Sequence, residues 1–519
     1  MKLNKLSLAM GVAVLASAGS ANAFNPGVTS PDFEMVMSGA SASSDLVLNL
    51  IIDDICSGSG GIDYLSGSDS SGWAVACNVT AGQVPGLSSS ANILFRKRNS
   101  GGSGLGVMPV IDALPLPFTE ISTGGGSNCG TAPSGTDSTG AGTSYNVWSC
   151  GTAKEDATPV GGFSDIEPSK FFGINKPVVD IDGDGTDDVP EFTDRGNFAV
   201  RPLAGLVFGV PVTRDLRNAL QQAQGLTVDS DTEADMPSLS AQVIRSMYTG
   251  AIKKWDQLTF DVGGVQTPLT DIVTPSSDKG SDKVHICRRV NGSGTQAQSN
   301  AIFLNWPCEA GAVKPLIEPG FPSTGPIVFQ NSGSSDVGRC LDDFNNGTNA
   351  SGKNVAIQSG PFVLADANRQ AWAIGIQSTE KNAGNSRDYR FIKVDGVAPT
   401  VQNVHGGTYF DFAEQSMQWR TSAAQNGTAG ATADQALIFE DIAANATGAT
   451  PVANLNTNFA FVGGWQGGWL AVPGTGSNVA DADFSLSNPV NTVTRSPFGN
   501  SPNTCQFPVN ASSSISGDK

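Results

Sequence analysis

Val284-His285-Ile286-Cys287-Arg288-Arg289-Val290-Asn291-Gly292-Ser293-Gly294-Thr295 decides how the chain is read. Its first residues are a short apolar run of strand type, and the Gly-Ser-Gly-Thr that follows can turn tightly into a helix. Glycines let the backbone come close to a ligand, and Ser and Thr bring hydroxyl donors. The N-terminus of a helix adds unpaired N–H groups and the positive end of its dipole, so the turn is suited to an anion. Arg289 adds a planar, permanently charged fork that matches oxyanion geometry.

The same pattern of strand, small-residue turn and helix recurs upstream. Ser38-Gly39-Ala40-Ser41-Ala42-Ser43-Ser44 precedes an apolar helical stretch, Leu46 to Ile52. Ile93-Leu94-Phe95-Arg96 reads as a strand and leads into Asn99-Ser100-Gly101-Gly102-Ser103-Gly104-Leu105-Gly106-Val107. Phe163-Ser164-Asp165 places a carboxylate at a strand-to-loop transition, where an N-cap is the plain alternative. Strand patterns alternating with helical ones predict an α/β fold with largely parallel sheets. Val200 to Val212 is apolar, Arg214 to Gln224 and Leu239 to Met247 are helix-like, and a helix is expected near Glu414 to Ala423. Residues 57–92 and 123–158 are Gly/Ser/Thr-rich and read as disulfide-tied surface loops.

At 519 residues the chain exceeds one compact core and should divide into lobes. A net charge of −18 argues against nucleic acid and anionic membrane surfaces as partners, but not against a small anion held by local donors. Met1 to Ala23 has a lysine-bearing start, an apolar stretch from Leu6 to Ala16 and an Ala21-Asn22-Ala23 cleavage pattern, the layout of a signal peptide. No cysteine follows that site directly, and no later apolar run is long enough to span a membrane, so a periplasmic or secreted protein is expected. Eight cysteines in such a chain favour disulfides. Equal spacing suggests the local pairs Cys56/Cys77, Cys129/Cys150 and Cys287/Cys308, which leaves Cys340 for Cys505.

Asp180-Ile181-Asp182-Gly183-Asp184-Gly185-Thr186-Asp187-Asp188-Val189-Pro190-Glu191 fits a twelve-position calcium loop. The expected ligands are the carboxylates of Asp180, Asp182, Asp184, Asp188 and Glu191 and the Thr186 carbonyl, with Gly185 at the sharp turn. An acidic solvated turn is the alternative, and calcium here would be structural.

Several of these motifs fall in one family's order. Tyr248-Thr249-Gly250-Ala251-Ile252-Lys253-Lys254-Trp255-Asp256 resembles the helix end of the periplasmic phosphate-binding proteins of ABC importers. Arg288 to Thr295 resembles their anion loop, Gly102 to Val107 a second binding turn, Phe163-Ser164-Asp165 the stretch with their ligand-facing aspartate, and Ser38 to Ser43 their first turn. The resemblance implies a two-lobed type 2 periplasmic-binding fold. Residues 24–200 would begin lobe 1, 201–395 form lobe 2, and 396–519 return to lobe 1 and extend beyond it. It also implies a site lined by Ser43, Ser103, Asp165, Arg289, Ser293, Gly294 and Thr295, phosphate as ligand, no catalysis, and an ABC permease as partner. Two positions depart from the pattern: Ser44 stands where the family has Phe, and Asn291 where it has Asp. Without the Phe wall a bulkier ligand or another oxyanion could enter. Two other classes stay open on composition, a secreted phosphatase-like hydrolase and a surface or matrix protein reusing the fold. For the hydrolase, His285 lies inside an apparent strand and Ser293 has no evident base.

Overall fold

A single 16-residue strand, Phe198–Thr213, organises the molecule. The computed structural model describes residues 29–68, 71–123, 128–181, 183–273, 282–359, 362–364, 367–473, 484–496 and 502–511, so the expected signal peptide lies outside the described residues. In chain order we label the elements that position the site as follows. The first part comprises β1 (Phe33–Gly39), α1 (Ser44–Leu50), β2 (Ile62–Gly67), β3 (Gly72–Val79), β4 (Ala91–Arg98), β5 (Gly161–Ser164) and β6 (Phe198–Thr213). The second comprises β7 (His285–Arg289), α2 (Gly294–Leu304), β8 (Ile327–Asn331), α3 (Ser334–Asn346), β9 (Ala373–Gly375), β10 (Tyr389–Val394), β11 (Phe412–Arg420) and α4 (Ala433–Ala446).

The fold is mixed α/β, as the alternation of patterns predicts, but the main sheet is mixed rather than largely parallel, since β6 and β11 run antiparallel to their neighbours. Two half-sheets share one strand order. In the first, which we call lobe 1, the order is β4-β1-β5-β11-β6, with β1 parallel to β4 and β5 and with β11 antiparallel to β5 and β6. In lobe 2 the order is β8-β7-β9-β6-β10, with β7 parallel to β8 and β9 and with β6 antiparallel to β9 and β10. Each half therefore has its first strand flanked by two parallel neighbours, β4 and β5 in lobe 1 and β8 and β9 in lobe 2, and one antiparallel strand inserted from elsewhere in the chain. For lobe 2 the inserted strand is β6 itself. Its first part packs in lobe 1, through Leu203, Ala204, Leu206 and Phe208, and its last part in lobe 2, through Val210 and Val212.

In parallel sheets of this kind, the loops after the carboxyl ends of the central strands face the junction where strand order reverses, and ligands bind there. Lobe 1 offers those after β1, β4 and β5, and lobe 2 those after β7 and β8.

Three expectations need correction. Residues 57–92 and 123–158 are not simply loops. They contain β2 and β3 and the strands Gly135–Ser138 and Ser144–Cys150, which extend the lobe 1 sheet, and Lys154–Ala157, which pairs with Leu116–Thr119 in a separate two-stranded sheet. Trp73, Val75, Cys77 and Val79 alternate into the core along β3, a period-2 signal that the Gly and Ser content obscures. Second, the stretch near Glu414 is strand β11 rather than helix. All nine of its residues are buried between two neighbouring strands, so both faces are covered and no amphipathic period is visible.

Third, the disulfides are Cys56–Cys77, Cys129–Cys150, Cys287–Cys340 and Cys308–Cys505. Cys287 cannot reach Cys308 because alternate residues of β7 point to opposite faces. Ile286 faces the core that includes Phe303 and Leu304 of α2, whereas Cys287 faces the core under α3, where Cys340 lies. Cys308, beyond α2, instead ties down the C-terminal segment. That segment also hydrogen-bonds to lobe 1. The Thr504 hydroxyl and N–H donate to Glu167, and Thr494 and Ser496 donate to Glu414 of β11. No helix among the described residues is long and apolar enough to cross a membrane.

Candidate functional site

Arg289 ends β7, and its side chain lies on the same face as Cys287, towards the start of α3. It is 2% exposed. One guanidinium nitrogen donates to the Ser334 hydroxyl at 2.7 Å and another to the Ser332 carbonyl at 2.8 Å. Its Nε has no partner among the described residues. A buried guanidinium held by neutral acceptors is a costly arrangement unless negative charge lies near. Burial pushes the group down to about 10, against the pull of Asp165 and Asp336.

Asp165 follows β5 from lobe 1 and is 3% exposed. Gln415 of β11 donates to one carboxylate oxygen at 2.7 Å, and the Thr295 hydroxyl donates to the other at 3.1 Å. Thr295 belongs to lobe 2, so this bond crosses the junction. Burial pushes the Asp165 carboxyl up, opposed by Arg289, Gln415, Thr295 and Lys97. Arg289 and Asp165 attract one another across the site, yet no direct ion pair joins them among the described residues.

Between them lies the start of α2. The Ser293 hydroxyl caps that helix, accepting from the Gln296 N–H. By helix geometry the N–H groups of Gly294 and Thr295 have no acceptor within their own helix. Gly294 is required here: a Cβ at this position would meet Ser103 Oγ at 2.2 Å and Asp165 Cβ at 2.7 Å. The two lobes thus touch through backbone at this point, and the Gly104 N–H donates across to the Gly292 carbonyl at 2.8 Å. Ser103 closes the group, its hydroxyl accepting from the Asp165 N–H at 3.2 Å.

Of the residues expected at the site, Ser103, Asp165, Gly294 and Thr295 are in direct contact, with Arg289 and Ser293 beside them. Ser43 is buried in the first turn, where its hydroxyl donates back to Ala40. Asn291 serves Arg288, accepting from its guanidinium at 3.1 Å, and so is a scaffold residue of the loop.

Three participants were not among the expected residues. Lys97, 1% exposed, donates to the Ala40 carbonyl at 2.7 Å and to Asn99 at 2.6 Å. Burial pushes its amine down to about 7, against the pull of Asp165 and Asp45. Its position was readable, since Ile93, Phe95 and Lys97 alternate onto one face and the first two are core. Gln415 shares a face of β11 with core residues Ala413, Met417 and Trp419 and holds Asp165. Ser334 lies where α3 begins, after a Ser332-Gly333 turn of the same small-residue type.

The acidic loop is accounted for differently. Asp180 accepts from the N–H groups of Gly183, Asp184 and Gly185, Asp184 from Thr186, Asp188 from Ile181, and Glu191 from Gly173. Asp182 lies outside the described residues, and no group of three or more His, Cys, Asp or Glu placed to hold a metal ion occurs among the described ones. Calcium there rests on the sequence pattern alone. His285 is fully buried, stacked on Phe329 and tilted against Phe344, and burial pushes its imidazole down to about 3.

No protein-family model matches the sequence, and neither does any curated protein. Solved structures do align with it over most of its length. One, described as a phosphate ABC transporter substrate-binding protein with bound phosphate from Clostridium perfringens, is 13% identical. The match covers 81% of this chain and 97% of that one, with a TM-score of 0.36. An ABC-type phosphate transport receptor from Vibrio cholerae is 10% identical over 79% and 93% of the two chains, at 0.34. PstS from Borrelia burgdorferi is 10% identical over 84% and 99%, at 0.33. At these scores the likeness assigns no residue a role.

Proposed function

We propose that this is an exported solute-binding protein whose interlobe junction holds a protonated tetrahedral oxyanion, with phosphate as the first candidate. The observation that carries the reading is the joint burial of Arg289 and Asp165 on opposite walls, with the start of α2 and Ser103 between them. Arg289 and the free N–H groups of α2 would hold the negative oxygens. Asp165 decides which anion is accepted. A carboxylate beside an anion repels it unless the anion donates a proton, as hydrogen phosphate can and fully ionised sulfate cannot. The lobe-to-lobe contacts at Gly104–Gly292 and Thr295–Asp165 would be the ones that close over the ligand.

Binding is favoured over catalysis by what surrounds the site. Ser293 is engaged in capping its helix, His285 is sealed in an aromatic core, and the His405 Nδ1 meets the Val490 carbonyl. None of these is placed as a base for a nucleophile at the junction. An uptake role with a membrane permease follows from the resemblance in the motifs and belongs to the proposal. Native mass spectrometry of the full protein, purified without phosphate buffers from phosphate-replete cells, tests it. A mass excess matching one phosphate, lost on partial unfolding and exhaustive dialysis, is expected. Protein that carries no anion and takes none up on adding phosphate contradicts the reading.

A further inference from the structure

Beside the Arg289–Asp165 niche, between the lobes, lies a cavity of about 560 Å3. That is the size of pockets that enclose whole organic ligands, and a single tetrahedral anion fills only a small part of it. The cavity adjoins the niche on both walls. Ser334, which accepts from Arg289, also lines the cavity, and so does Asn99, which accepts from Lys97. The lobe 1 wall continues from Ser100 and Gly101 directly into Gly102 and Ser103.

The lining is distinctive in what it offers. It consists of serines, glycines, Asn99 and the charged residues Asp45, Asp336, Arg339 and Lys381, with no apolar side chain among the described residues. Such a wall gives hydroxyl and charged hydrogen-bond partners on every side and no surface for a lipid tail or a stacked ring. Ser44 keeps the lobe 1 wall low, its hydroxyl accepting from Trp73 at 2.8 Å and from Asn99 at 3.2 Å.

We propose that the ligand is a phosphate monoester of a polyol, its phosphoryl group in the Arg289–Asp165 niche and its hydroxylated part in this cavity. The inference rests on the reading of the niche as a site for a protonated oxyanion. The chemistry selects the monoester. With a second pKa of about 6, a monoester is partly singly protonated near neutral pH, and that form keeps one P–OH to donate to Asp165 while another oxygen carries the substituent outward. A phosphodiester has no such proton near neutral pH and leaves the buried carboxylate without its donor. The hydroxyls of the substituent meet serines and charged side chains, which would replace the water they give up.

Calorimetric titration of phosphate-free protein with glucose 6-phosphate, inorganic phosphate and dimethyl phosphate tests the proposal. Glucose 6-phosphate should bind one to one and about tenfold or more tighter than phosphate, with dimethyl phosphate silent. Ser335→Trp supplies the second arm. Ser335 is exposed at the cavity wall, so an indole there fills space without disturbing the core. The substitution should weaken glucose 6-phosphate about tenfold or more and leave inorganic phosphate unchanged. Phosphate binding without the ester overturns this inference and spares the reading of the niche. Equal losses for both ligands in Ser335→Trp also overturn it, since the substituent then does not occupy the cavity. Binding of neither ligand to the native protein overturns the reading of the niche and this inference together.

Discussion

The two lobes repeat one strand order but bring opposite chemistry to their junction. Lobe 2 contributes attraction, in Arg289 at the end of β7 and the first turn of α2. Lobe 1 contributes Asp165, a carboxylate that repels a bare anion, held by Gln415 and screened by Lys97. If a lobe only had to attract an anion, Asp165 would be a fault at the centre of the site. On the proposed reading its presence divides the labour: lobe 2 would supply affinity and lobe 1 would supply choice. A site of this kind selects by leaving the wrong ligand with an unmet buried acceptor, which costs more than a lost attractive contact.

The largest expected effect is on the attractive side. Arg289→Ala removes a buried charge and should cost phosphate binding about 2–5 kcal/mol, roughly thirtyfold to several thousandfold in Kd. Titration calorimetry reads this directly, and a loss of less than about threefold would remove Arg289 from the anion's partners. Sulfate should bind neither the native protein nor this variant.

Asp165→Asn acts on the selective side and should separate the lobes' roles more sharply. The amide keeps the size and can donate to an oxyanion, so phosphate should weaken by about 1–3 kcal/mol while sulfate becomes a measurable ligand. If sulfate stays excluded, Asp165 does not set the choice.

The smallest effect concerns Lys97. Its amine falls from an ordinary 10.5 to about 7 on burial. Between those values the unfolded chain binds more protons than the folded one, so the contribution of Lys97 to stability rises with pH across that window. In Lys97→Met that contribution is absent. The urea-derived stability of the native protein, taken relative to the variant, should therefore increase from pH 7 to pH 9. A pH-independent difference would place the Lys97 amine in a far less buried setting.

How far the sequence could be read depended on whether each feature was local. The stretch from Val284 to Thr295 was legible because strand, turn and helix start are all written within a dozen residues. The same held for β4 and its turn, and for Asp165 after β5. β11 was not legible, since it is buried on both faces and its Glu414, Gln415 and Gln418 look like the polar side of a helix. Residues 57–92 were misread because their Gly and Ser outnumber the alternating Trp73, Val75 and Cys77. The pairing of Cys287 turned on which face of β7 each residue takes, and that of Cys308 on where the C-terminal segment returns. Neither is written in spacing. Lys97 was the missed opportunity, a lysine two steps beyond Ile93 and Phe95 on a core-facing row.

One titration tests the junction most directly: phosphate and sulfate added separately to native protein freed of phosphate by partial unfolding and dialysis. Saturable one-to-one phosphate binding, with no heat from sulfate at the same concentrations, is the predicted result. Sulfate binding as well as phosphate, or neither anion binding, would contradict it.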